Sequence, residues 1–248
     1  MDGEISTRVG VNHLGADLIA DPGSVILKRR QLETVYRRLH EAHGHLRWWP
    51  GESQLEIIVG AILTQNTAWR NVEQAIAALK EGRILSLRGL RQVELGALEQ
   101  AVRPSRYFRQ KAHKLKAFLA YLDRTHHGSL SAMARTPTEP LRQQLLAIWG
   151  IGPETADSIL LYAFDRPVFV VDAYTKRILV RHGWIDNGCD YEAMRAFFEA
   201  RLPADPELYN DFHAQIVIVG KDYCRPTPRC DNCPLKEMLP PRGPAPLV

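Results

Sequence analysis

Apolar residues recur at helical spacing along most of the chain. Leu32, Val35, Tyr36 and Leu39 follow the i, i+3, i+4, i+7 rule of an amphipathic helix, and Phe108, Leu115, Phe118, Leu119 and Leu122 form a second such stripe. Ala156, Ile159, Leu160 and Ala163 form a third. Turn signals punctuate these runs. Pro50-Gly51 precedes an apolar helix over 53–63, Pro104-Ser105 precedes one over 107–123, and Thr136-Pro137-Thr138 precedes 139–148. Gly150-Ile151-Gly152-Pro153 breaks the chain before a helix over 154–163. Strand-like alternation is scarce, and Val168-Phe169-Val170-Val171 reads as a buried connector into the next helix. The expected fold class is all-α, with residues 1–22 and the Pro-rich tail 240–248 poorly ordered.

Composition adds limits. The 248 residues are enough for one large domain or two small ones, at 45% hydrophobic and 24% charged. No apolar run is long enough for a membrane-spanning helix. The N-terminal stretch carries acids early and has no apolar core, so no secretory signal is expected and the protein is placed in the cytoplasm. The net charge of +4 is compatible with a polyanionic partner. Three of the four cysteines, Cys224, Cys230 and Cys233, lie close together. In a reducing compartment such clustering favours metal over disulfides.

Two segments carry candidate chemistry. In LLAIWGIGPETADSILLYAF (145–164) one helix ends at Trp149, a Gly150-Ile151-Gly152 turn follows, and a second helix starts at Pro153. The glycines allow positive φ and close backbone approach, and the free N–H groups of the second helix suit an anion such as a phosphate. About twenty residues on, Asp172 sits where the apolar connector turns into a helix. Its short carboxylate suits an N-cap, and in a water-poor cleft it also suits the stabilisation of a cationic sugar.

Together these segments resemble the endonuclease III superfamily of helix-hairpin-helix DNA glycosylases, whose hairpin reads L-x-G-x-G-x-K-T-A and whose catalytic motif reads V-D-x-x-x-x-R. The resemblance runs from about Leu46 to Leu239. It implies a two-lobed helix-hairpin-helix fold: one lobe over 52–164, the other built from 23–51 plus 165–239 and carrying a C-terminal cysteine loop. It implies double-stranded DNA with a damaged base as partner, no membrane, and a monomer. Asp172 takes the catalytic position. Gly150 and Gly152 grip the DNA backbone, and a monovalent cation on hairpin carbonyls is implied as well. Gln65, in Ile62-Leu63-Thr64-Gln65-Asn66-Thr67, matches a residue that fills the space left by an extruded nucleotide. Tyr107 matches a wedge against the opposite strand; the basic Arg106, Arg109 and Lys111 beside it suit phosphate contacts, or simply a solvated basic face.

One branch is resembled closely, the endonuclease III-like 3-methyladenine DNA glycosylases. In it, aromatics at the positions of Trp49 and Trp69, with the adjacent Pro50, sandwich a flipped purine, and electron-rich rings suit a cationic alkylated base. Glu154 stands where strand-nicking members carry a lysine nucleophile, so a monofunctional glycosylase is expected, with Glu154 itself a solvated first-turn residue and Lys111 or Lys176 the alternative amines. Cys224-x5-Cys230-x2-Cys233 resembles the family's iron–sulfur loop, C-x6-C-x2-C-x5-C, but the fourth position falls on Leu239. A [4Fe–4S] cluster with three of its four cysteines, a fourth ligand from Cys189 or a non-cysteine residue, zinc on three cysteines and a histidine, and a loop without metal are all open at this stage. The rival functions are a glycosylase for oxidised pyrimidines or mismatched bases, a non-catalytic lesion-binding module, and an iron–sulfur electron carrier.

Overall fold

A computed structural model describes residues 29–46 and 48–247. The expected loose segment 1–22 lies outside the described residues. Those residues form twelve α-helices with short 3-10 and π segments, and no strand. They are α1 (Arg29–His43), α2 (Gln54–Leu63), α3 (Trp69–Glu81), α4 (Leu87–Gln92), α5 (Leu95–Ala101), α6 (Phe108–His126), α7 (Leu130–Met133), α8 (Thr138–Leu146), α9 (Pro153–Ser158), α10 (Ala173–Arg181), α11 (Tyr191–Glu199) and α12 (Pro206–Asp222).

Two apolar cores organise them. The first draws on Leu55–Leu63, Leu115, Leu145, Ile159 and Leu160. The second draws on Leu32, Val35 and Leu39 of α1, on Phe169–Val171, and on Phe212, Ile216 and Val219 of α12. Helix α2 is buried on almost every side, as expected of a helix that is apolar all round. Its start is set by Ser53, whose hydroxyl accepts the Glu56 N–H at 3.2 Å, in a Ser-x-x-Glu capping pattern.

The two cores exchange partners along one continuous stretch. After α9 the chain widens into a π-helical turn over Ile159–Ala163. Ile159, Leu160 and Ala163 face the first core, whereas Leu161 and Tyr162 face the second. A π turn shifts the register by one residue and often marks a functional site. Here it sends Tyr162 toward α12.

The lobes are locked behind the hairpin by a buried polar network. Arg142 of α8 grips Asp157 of α9 through two hydrogen bonds, at 2.7 and 3.1 Å. Asp157 also accepts the Tyr191 hydroxyl at 2.9 Å, and that same oxygen faces the N–H of Val171 at 3.4 Å. Helices α10 and α12 cross closely because Gly220 leaves room for Tyr174, whose ring lies where a Cβ would stand. The tail, expected to be loose, folds back: the Ala245 N–H donates to the Arg181 carbonyl at 2.9 Å. A backbone bond and packing against α10 hold it where its composition alone suggested disorder.

Candidate active site

Asp172 is the N-cap of α10. Its Oδ1 accepts the Thr175 N–H at 2.7 Å and the Thr175 hydroxyl at 2.8 Å. Oδ2 faces Nε2 of His213, from the middle of α12, at 3.7 Å. The carboxylate side chain is 11% exposed, so it is enclosed but keeps an open edge. Burial alone would raise its pKa, but His213 and the two Thr175 donors outweigh that and hold the carboxyl below its ordinary value. Capping and an ionised carboxylate therefore coexist in one residue.

His213 is the site residue the sequence did not disclose. It is buried, and its Nδ1 lies 2.5 Å from the Tyr162 hydroxyl. Tyr162 in turn stacks on Trp49, with ring centroids 4.6 Å apart and planes 18° from parallel. Trp49 then meets Trp69 edge-on at 5.1 Å. Thus two aromatics chosen for a base pocket and the carboxylate chosen for catalysis lie on one continuous chain: Trp69, Trp49, Tyr162, His213, Asp172. The sandwich between Trp49 and Trp69 is closed in this arrangement. An inserted ring needs about 7 Å between planes, two contact distances of about 3.5 Å.

Trp49 is held under strain. Its φ is +66°, unusual for an aromatic residue, and the Gly51 N–H reaches back to its carbonyl at 2.9 Å. The segment before it is pinned by α12. Asp211 accepts the Leu46 N–H at 2.7 Å, and Gln215 donates to the Gly44 carbonyl at 2.7 Å. Pro50 is exposed beside it.

Glu154 is exposed in the first turn of α9, the solvated position expected of it, but its carboxyl does not titrate as a free glutamate does. Crowding by surrounding protein and the negative charge of Asp172 push its carboxyl up to about 7, against a smaller opposing pull from His213. The side chain keeps accessible area while its carboxyl group faces protein and a like charge.

The hairpin forms as expected. Gly150 adopts φ +82°, with the Lys114 stem packed where a Cβ would point. Gly152, the N-cap of α9, has open space at its Cβ position and an ordinary φ of −94°. Nothing within the fold demands a glycine there. Gln65 does not point outward: its Nε2 donates to the Gly150 carbonyl at 3.0 Å and to the Thr155 hydroxyl at 2.8 Å, and its Oε1 accepts from Lys114. The Gly150 carbonyl, on the loop where a cation was expected, is thus engaged by Gln65.

Lys111, expected to meet a phosphate, is 1% exposed. Its ammonium bonds the carbonyls of Leu63, at 2.8 Å, and Ser105. Burial, with the nearby Lys114 charge, lowers its pKa to about 8. It fastens the end of α2 to the loop before α6. That loop displays Tyr107, 62% exposed and left-handed at φ +43°. Arg106 before it adopts φ +59° and ψ 167°, a region almost reserved for glycine. Trp149 beside the hairpin is equally exposed.

At the far end of α10, Cys224, Cys230 and Cys233 line one cavity with His182, Arg181 and Leu239. Among the described residues no three histidine, cysteine or carboxylate groups converge tightly enough for a single metal ion. No helix among them is long and apolar enough to cross a membrane.

Residues 59–204 match the model of the HhH-GPD superfamily of base excision DNA repair proteins. The chain belongs to that family. It is 44% identical over 212 residues to MJ1434 of Methanocaldococcus jannaschii, named as a candidate DNA repair glycosylase, covering 85% of this chain and 96% of that one. It is 28% identical to endonuclease III of Thermotoga maritima, covering 73% and 79%. Among solved structures, the 3-methyladenine DNA glycosylase MagIII of H. pylori, bound to 1,N6-ethenoadenine, superposes with a TM-score of 0.68 at 29% identity, covering 79% of this chain and 98% of that one. An endonuclease III–DNA complex superposes at 0.74 with 20% identity, covering 86% and 96%, a likeness of fold. The chain is accordingly an all-α, two-lobed DNA glycosylase of base excision repair.

Proposed function

We propose that this glycosylase removes an alkylated purine from duplex DNA by hydrolysis and leaves the abasic strand largely intact. The observation that carries this reading is the aromatic chain ending on an ionised, Thr175-tethered Asp172. N-alkylated purines are cationic and leave readily, so the site needs an electron-rich surface for the base and a fixed anion for the sugar. Asp172 Oδ1 is spent on Thr175, which leaves Oδ2 as the oxygen toward the oxocarbenium-like sugar and its attacking water. The base enters beside Trp49 when Trp69 or Trp49 turns aside.

Strand cleavage calls for an accessible amine. Glu154 is a carboxylate and Lys111 is buried on two carbonyls, which leaves the partly exposed Lys176 of α10 as the remaining candidate amine, so at most weak strand cleavage is expected. Gly152, with open space at its Cβ position, brings the hairpin backbone to a phosphate. Tyr107 wedges the duplex, and Gln65 leaves its bonds to the hairpin to fill the vacated stack. The likeness to MagIII supports a purine lesion. We also propose that the cysteine loop holds a [4Fe–4S] cluster, whose binding orders the loop and takes no part in bond cleavage.

The test is release of free bases from methylated DNA by wild type and Asp172→Asn, alongside duplexes with single defined lesions incised with and without hot alkali. Release of alkylated purines by wild type only, with nicks appearing chiefly after alkali, supports the reading. Selective excision of oxidised pyrimidines, or nicking without alkali that keeps pace with excision, overturns it. Equal inactivity of both proteins on every lesion points to a lesion-binding module.

A further inference from the structure

The cysteine loop presents three sulfurs where four ligands are required. The position six residues past Cys233, where the fourth cysteine of a C-x5-C spacing would stand, is Leu239, and its side chain lines the same cavity with no donor atom. Cys189 lies elsewhere, in the company of Asp186, Asp190 and Lys176. Tyr223, Lys236 and Arg181 also line the cavity, but the side chain there that offers an uncharged nitrogen donor is His182, the C-cap of α10.

We propose that His182 supplies the fourth ligand of an iron–sulfur cluster held by Cys224, Cys230 and Cys233. This rests on the cluster reading given above. The imidazole is 7% exposed and packs on Trp184 at 4.4 Å between ring centroids. Its Nδ1 lies 3.2 Å from the Met238 carbonyl. A carbonyl only accepts, so Nδ1 carries the proton and Nε2 keeps its lone pair. A backbone carbonyl fixing the tautomer is the usual support of a ligating histidine.

The charge balance points the same way. Arg181 is buried, and its guanidinium bonds the Cys224 sulfur at 3.3 Å and the carbonyls of Arg225 and Pro226. No carboxylate among the described residues lies within ion-pair distance of it. A buried cation without a counter-charge is costly, and a thiolate-bound cluster supplies that negative charge.

The experiment uses full-length protein purified without oxygen, assayed for iron, sulfide and zinc, then reduced and studied by pulsed EPR with and without 15N-histidine. Wild type is expected to carry about four irons per chain and a nitrogen coupling that changes with the isotope. His182→Cys keeps the iron and loses the coupling. His182→Ala loses the iron, and adding Leu239→Cys to it restores the iron. Iron-loaded wild type without any histidine nitrogen coupling overturns the assignment of His182 while leaving the cluster in place. Absence of iron after reconstitution, or one zinc per chain instead, overturns the cluster and the assignment together.

Discussion

Asp172 and His213 face each other across 3.7 Å although α12 begins more than thirty residues after the aspartate. Their separation is too long for a direct hydrogen bond and short enough for electrostatic attraction or one bridging group. Asp172 keeps its geometry from Thr175 and its ionisation in part from His213. The two contributions come apart on substitution. Asp172→Asn keeps an effective N-cap, so its melting temperature should match wild type while base excision falls at least about 100-fold. His213→Gln should leave DNA affinity intact and slow single-turnover excision by up to about 100-fold. Unchanged single-turnover rates in His213→Gln would remove the histidine from the site.

Glu154 predicts a pH dependence of stability. Its carboxyl is raised to about 7 in the folded chain, above the 4.5 of a free glutamate. The folded state therefore holds the proton more tightly. That stabilisation is complete below the free value and is lost as pH rises through about 7. Glu154→Gln stays neutral throughout. Thermal unfolding should give equal melting temperatures for the two proteins at about pH 3.5 and a higher one for the variant at about pH 8. Melting curves that stay parallel across this range would show that Glu154 faces solvent and feels no neighbouring charge.

The helical class, the hairpin turn and the helix N-cap at Asp172 were legible because each is a local signal. Spacing marks the amphipathic stripes, Gly150-Ile151-Gly152 marks the turn, and Asp172 stands at a junction between an apolar connector and a helix. His213 was not legible, because a histidine among the apolar residues of α12 looks like core until the π turn brings Tyr162 to it. Lys111 misled for the opposite reason. Among Arg106, Arg109 and Lys114 it reads as one more surface cation, and only the packing of α6 under α2 shows it buried on two carbonyls. Trp49 and Trp69 were placed at the pocket by resemblance, but spacing holds nothing that tells whether two rings touch.

The network behind the hairpin is expected to behave as a buried ion pair. Arg142 and Asp157 are 3% and 0% exposed, and both hydrogen bonds between them are well formed. Arg142→Met strands the Asp157 charge and should cost roughly 3–5 kcal/mol in denaturant unfolding. The double variant Arg142→Met, Asp157→Leu removes both charges and should recover most of that loss. If the double variant is as unstable as the single one, the network owes its worth to the Tyr191 hydroxyl on Asp157 and to the Glu192 carboxylate that Arg142 also bonds, rather than to the pair.

The Arg106-Tyr107 loop sets stability against binding. Arg106 occupies a backbone region that costs a non-glycine residue roughly 1–3 kcal/mol. Arg106→Gly relieves that strain and adds back about 0.5–1 kcal/mol of chain entropy to the unfolded state. The net effect is stabilising, by about 1 kcal/mol. Tyr107 is 62% exposed and belongs to neither core, so Tyr107→Ala should unfold at the wild-type temperature. If the strained backbone exists to thrust this ring into the duplex, both variants bind a duplex containing an abasic-site analogue more weakly than wild type. The contrast is sharpest in Arg106→Gly, which should become more stable and a poorer binder at once. Tighter or unchanged binding by that variant would show that the strain serves the loop's packing over Lys111 and not the DNA.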